Sequence, residues 1–111
     1  MDKVNKKRAS RRLPYQNEIE LIGNAGQYCR DTLINISETG VCISTDIDIP
    51  AGTETISRFL VDSEKLCELE GRVAWCTKNQ DNKTFRIGIE LVKTPDDFNE
   101  VYESIGKKFG L

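Results

Sequence analysis

A chain of 111 residues, 38% hydrophobic and 31% charged, suits one domain with a modest core and is too short for two. No apolar run approaches the roughly 18 residues of a membrane helix, and the polar stretch Met1–Lys7 is followed by nothing apolar, so neither a membrane span nor a secretory signal is expected. The formal charge of −2 hides an asymmetry: residues 1–12 hold six cations and one acid, net +5, while the rest hold ten cations and seventeen acids, net −7.

An acidic body with a basic arm attracts phosphate, whether from nucleic acid, lipid or nucleotide; a solvated tail is the plainer reading of the same charges. Histidine is absent, which removes Ser–His and Cys–His nucleophile pairs and every His-ligated metal site. With no carboxylate pair in a recognisable setting either, the chain is expected not to be an enzyme and to need neither metal nor cofactor. The four cysteines, Cys29, Cys42, Cys67 and Cys76, show no Cys-x-x-Cys spacing. In a reducing, cytoplasmic setting they are expected to be free and structural.

Most of the chain reads as short strands. Glu18–Ile22 is extended and ends in the turn cluster 23–26; Tyr28–Ile36 and Gly40–Thr45 flank a Ser-Glu-Thr-Gly corner. Pro50 and Gly52 mark a loop before a strand over 53–61. Between Leu66 and Cys76 the alternation sets Cys67, Leu69, Val73 and Trp75 on one face, so Trp75 is expected in the core. A polar hairpin loop, Lys78–Lys83, leads to a strand over 84–91 with Phe85, Ile87, Ile89 and Leu91 on one side. The period then changes. Thr94-Pro95-Asp96-Asp97 is a helix start with Thr94 as cap and Asp97 as its partner, and Phe98, Val101, Tyr102, Ile105 and Phe109 form one apolar stripe of a helix at about 94–109. Six short strands and one helix predict a mainly β fold: a six-stranded antiparallel barrel over residues 13–111, covered by the C-terminal helix and preceded by the basic arm 1–12.

Two local patterns carry the chemistry. Arg8 and Arg12 form Arg-x-x-x-Arg, which alone is uninformative in a basic tail. Asn35, Ser37 and Gly40 form Asn-x-Ser-x-x-Gly, which alone is a turn, with Gly40 expected at positive φ. In this order, before and within a small barrel, the two resemble the signature of the PilZ domain family of bacterial cyclic di-GMP receptors. Gly71-Arg72-Val73-Ala74-Trp75 is similar to the family's Gly-x-Val-x-Trp strand, and Phe85–Leu91 to its closing strand, with Leu91 where phenylalanine is usual.

The resemblance implies a ligand site of Arg8, Arg12, Asn35, Ser37 and Gly40, with Lys7 and Arg11 as auxiliary phosphate contacts. The residue types suit it. An arginine fork takes guanine O6 and N7 together, or a phosphate; Asn35 can meet a guanine edge, Ser37 adds a hydroxyl, and a glycine admits close approach. Many members carry aspartate where Asn35 stands, so its contact lacks charge assistance. The resemblance further implies that the arm, expected to be loose without ligand, closes over the corner and relays the signal to a protein partner. The outputs it suggests are motility, pili, exopolysaccharide or virulence. Two alternatives stand beside this: a nucleotide-independent pilus-assembly adaptor, which would typically lack both motifs, and a small nucleic-acid-binding barrel, disfavoured by the acidic body and the lack of an aromatic ladder. Neither stable nucleic-acid nor membrane binding is expected.

Overall fold

The computed structural model describes residues 12–23, 28–61 and 65–107. Six strands, β1 (Asn17–Gly23), β2 (Tyr28–Ile36), β3 (Gly40–Thr45), β4 (Glu54–Val61), β5 (Lys65–Lys78) and β6 (Phe85–Lys93), precede one helix, α1 (Phe98–Lys107). The strands close into a barrel in the order β1-β2-β3-β6-β5-β4, with every neighbouring pair antiparallel. Closure leaves no free sheet edge, which is how a small all-β domain avoids edge-to-edge association.

Alternation decides what fills the barrel. Ile19 and Leu21 of β1, Val41 and Ile43 of β3, Phe59 and Val61 of β4, Cys67, Leu69 and Val73 of β5, and Ile87 and Ile89 of β6 are buried in one cluster. Phe98, Val101, Tyr102 and Ile105 of α1 join it, so the helical stripe is buried as its spacing requires. Burying four such side chains contributes on the order of 8 kcal/mol before entropy is counted. Leu13, buried ahead of β1, belongs to the same cluster and lies under the helix: a Cβ placed on Gly106 would stand 3.7 Å from Leu13 Cδ1.

Three details depart from the sequence reading. Trp75 is not in the core; it is 44% exposed. The β5–β6 register shifts between Val73 and Trp75, and this bulge reverses which face the following residues take. The ring instead covers Gly88, where an added Cβ would meet the indole at 2.4 Å. Helix α1 starts later than residue 94. Phe98 N–H donates to Pro95 O at 3.0 Å in a turn, and the bond from Val101 N–H to Asp97 O at 3.1 Å opens the helix. Asp97 cannot act as capping-box partner to Thr94 because its carboxylate accepts from the Lys65 ammonium of β5. That bond holds the Asp97 carboxyl below its usual pKa and lifts the Lys65 ammonium above its own. Phe109 lies outside the described residues.

Among the cysteines, Cys42 and Cys67 are buried and free, and Cys76 is half-buried and free. Burial pushes the Cys67 thiol up to about 11, as expected of an inert structural residue.

Candidate ligand-binding site

The end of the basic arm is fixed to the barrel beside the Asn-x-Ser-x-x-Gly corner. Leu13 anchors it: its N–H donates to Ile36 O at 2.7 Å, and its carbonyl accepts from Ile36 N–H at 3.0 Å. With the Leu13 side chain buried, Arg12 is held at the barrel surface one residue from this clamp. Its Nη1 donates to Asn35 Oδ1 at 2.8 Å, across twenty-three positions of sequence. The two motifs that are separate in the chain thus meet through a direct hydrogen bond.

Asn35 owes its outward position to an irregularity. The β2–β3 register shifts between Leu33 and Asn35, so Asn35 pairs with Cys42 and presents its amide to Arg12. Ser37 is buried and braces the turn. Its backbone N–H donates to Gly40 O at 2.8 Å, and its hydroxyl accepts from Gly40 N–H at 3.1 Å and Thr39 N–H at 3.3 Å. Gly40 opens β3 in an ordinary strand conformation: among the described residues only Gly52 and Asn82 have positive φ. The expectation of a left-handed Gly40 is therefore replaced by a steric one. A Cβ there would lie 2.9 Å from Ile89 O and 3.2 Å from Arg12 Nη2, so glycine leaves room for the guanidinium itself.

Arg8, Lys7 and Arg11 lie outside the described residues. Arg12, Asn35, Ser37 and Gly40 are brought together.

Trp75, expected in the core, instead lies exposed beside the candidate site. Opposed positions run Asn35–Cys42–Gly88–Trp75 across β2, β3, β6 and β5, so the indole shares a row with the Arg12 partner. Two small residues separate them, and the floor between is low. Alternation along β5 alone could not find this; the signal was Gly88, a glycine inside a strand, which marks close approach of another group. Burial raises the Cys42 thiol pKa, while the Arg86 and Arg12 guanidinium groups pull it back.

A cleft of about 470 Å³ lies elsewhere, on the β1–β4–β5 face, lined among others by Glu18, Glu20, Leu60 and Leu66. Its one cation, Arg58, is taken by Glu68 at 3.2 Å. Such a lining repels a dianion, so the motif corner is the better site for a phosphate-bearing ligand despite its shallowness.

A closed six-stranded barrel with a helix packed on Leu13 and an Asn-x-Ser-x-x-Gly corner beside Arg12 defines a class, and comparison with known families agrees. The family model for the PilZ domain matches residues 6–105, and the chain belongs to that family. In fold it is similar to the Bacillus subtilis inhibitor of motility, MotI/DgrA, at a TM-score of 0.74 and 14% identity over 87% of this chain; the chain spans 48% of that protein. It is also similar to the PilZ domain of CeSA from a cellulose-synthesizing bacterium, at a TM-score of 0.62 and 17% identity, covering 91% of this chain and 97% of that one. A search of curated proteins gave no match.

Proposed function

We propose that this chain is a receptor for cyclic di-GMP that relays the ligand's presence to a protein partner. The observation that carries the reading is the 2.8 Å bond between Arg12 and Asn35, which joins the two sequence motifs directly. Cyclic di-GMP presents two guanines and two phosphodiesters. Arg12 uses Nη1 on Asn35 and keeps further N–H donors for O6 and N7 of a guanine or for a phosphate. Arg8, four positions earlier, supplies a second fork. Asn35 orients the first fork and can meet the base edge itself. Ser37 serves the site by holding the corner in shape, and Gly40 by giving Arg12 room. The exposed indole of Trp75 offers a face on which a base can stack.

In this reading the ligand draws residues 5–11 onto the corner, and the reshaped surface is what a partner recognises. Motility is the first output to assay, because the fold neighbour MotI/DgrA is an inhibitor of motility.

Calorimetry with cyclic di-GMP tests the reading. The wild-type chain binds; Arg8→Ala and Arg12→Ala each lose about 1–3 kcal/mol, the range for a bidentate base contact; Lys3→Ala loses little. Equal losses at Lys3 and Arg12, erased by added salt, would reduce the arm to unspecific charge and reject the receptor reading.

A further inference from the structure

The barrel carries a net −7 outside the arm, and its acids are not spread evenly over its surface. Opposed outward positions on the β1–β4–β5–β6 side run Glu20–Arg58–Glu68 and Glu54–Arg72–Glu90, so each cation there sits between two carboxylates. On the other side, two adjacent rows carry no carboxylate across β2, β3, β6 and β5; Glu18 of β1 opposes the end of the second. One is Asn35–Cys42–Gly88–Trp75, already part of the candidate site. The next, Thr32–Ser44–Arg86–Thr77, crosses the same four strands and consists of three hydroxyls and one guanidinium.

All four of these side chains face outward. Thr32, Arg86 and Thr77 are exposed and Ser44 is half-buried, while the inward neighbours Leu33, Ile43, Thr45 and Ile87 are buried. Among the described residues Arg86 forms no ion pair. Rows on one face of a sheet lie about 7 Å apart, so Arg86 stands within reach of a ligand seated on Asn35 and Arg12. Both guanidinium groups are felt by the Cys42 thiol between them. The floor they bracket is low, because Gly40, Cys42 and Ser44 are the outward residues of β3 and Gly88 is their neighbour on β6.

A guanidinium flanked by hydroxyls and held in no ion pair among the described residues is phosphate-binding chemistry; the carboxylate that opposes this row, Glu18, stands beyond Thr32 on β1. We propose that the Ser44–Arg86–Thr77 row is a second anion subsite, outside both sequence motifs, which takes a phosphodiester of the dinucleotide at the end remote from the arm. The choice of ligand rests on the receptor reading above; the subsite itself does not. With Arg86 engaged, the ligand is gripped from two sides of β3, by the arm at one end and by the barrel at the other. Ser44 and Thr77 donate to the same phosphate oxygens, and a ligand with a single phosphate uses only half of the grip.

The test is cyclic di-GMP binding by the full chain over a series of salt concentrations. Arg86→Ala weakens binding at least about tenfold and flattens the dependence of log affinity on log salt, because one screened charge–charge contact is lost. Arg86→Lys restores the slope but not the full affinity, since it keeps the charge and loses the fork. Arg72→Ala, in the row between Glu54 and Glu90, changes neither quantity. Wild-type affinity and slope in Arg86→Ala overturn the subsite while leaving the receptor reading intact. If the wild-type chain takes up no cyclic di-GMP, that reading falls, and the subsite is judged by titrating pyrophosphate and following amide shifts. Shifts centred on Ser44, Thr77 and Arg86 uphold it; their absence, or shifts scattered over the barrel, overturn it.

Discussion

Gly88→Ala separates the Trp75 described here, an outer platform, from the core tryptophan that alternation along β5 suggests. The new Cβ would lie 2.4 Å from indole Cε2 and Nε1 and 2.7 Å from Cζ2, so the ring must move. Because Trp75 is 44% exposed, it can lift toward solvent instead of straining the barrel. Lifting uncovers on the order of 50 Å² of apolar surface, about 1.2 kcal/mol. Replacing a strand glycine by alanine returns about 0.4–1 kcal/mol by restricting the unfolded chain. The net loss is therefore below about 1 kcal/mol. Gly71→Ala is the contrast, because its Cβ would meet Ile89 Cγ2 at 2.5 Å and the backbone Glu90 O at 2.6 Å, neither of which can swing away. It should cost about 1–3 kcal/mol or more. The chain has one tryptophan, so fluorescence reports on this ring alone. Urea unfolding followed by that signal should show a red-shifted native emission and a nearly unchanged midpoint for Gly88→Ala. An unshifted native emission together with a loss above about 3 kcal/mol would mean that Trp75 is wedged into the core, and would refute the reasoning.

Other substitutions probe neighbouring parts of the account. Asn35→Asp converts the Arg12 contact into a charge-assisted one; at this exposed position it should raise stability by no more than about 1 kcal/mol, and salt should reduce the gain in thermal melts. Gly106→Ala adds a Cβ whose nearest contact is Leu13 Cδ1 at 3.7 Å, so helix propensity should dominate and raise stability by about 0.5–1 kcal/mol, read from denaturant midpoints. Asp81 accepts from the N–H groups of Lys83 and Thr84 and from the Thr84 hydroxyl, which hold its pKa below the ordinary 3.8. Its stabilisation is therefore complete above pH 3.8 and disappears as pH falls through the lower folded value; melting curves of Asp81→Asn should lie below wild type at neutral pH and converge with it in acid.

Local rules carried most of the fold. Period-two alternation and turn residues located all six strands, because each strand has one face on a core and one in water, and the change of period after residue 93 located the helix. What escaped depended on pairing. The bulges at Leu33/Asn35 and Val73/Trp75 are set by neighbouring strands, and no single strand's pattern encodes them. Trp75 was misplaced for that reason. Thr94 was read as the helix cap because the competing partner of Asp97, Lys65, is thirty-two residues away. In the site, motif spacing identified Arg12, Asn35, Ser37 and Gly40 as one group, but not their division of labour. Ser37 is spent on the turn, and Gly40 is required by the guanidinium beside it. Arg86 lies in neither of the two ligand motifs, and only strand pairing sets it in a row with Ser44 and Thr77.

The central claim is that this corner reads guanine and does not merely attract phosphate. Competitive titration of the wild-type chain with cyclic di-GMP and cyclic di-AMP tests it most directly. The two ligands share both phosphodiesters, but adenine offers an amino donor where guanine offers the O6 acceptor, so an arginine fork faces a donor. The account predicts that cyclic di-GMP binds at least about tenfold more tightly, a difference of about 1.4 kcal/mol that survives added salt. Equal affinities for the two dinucleotides, both falling away together as salt is raised, would contradict it.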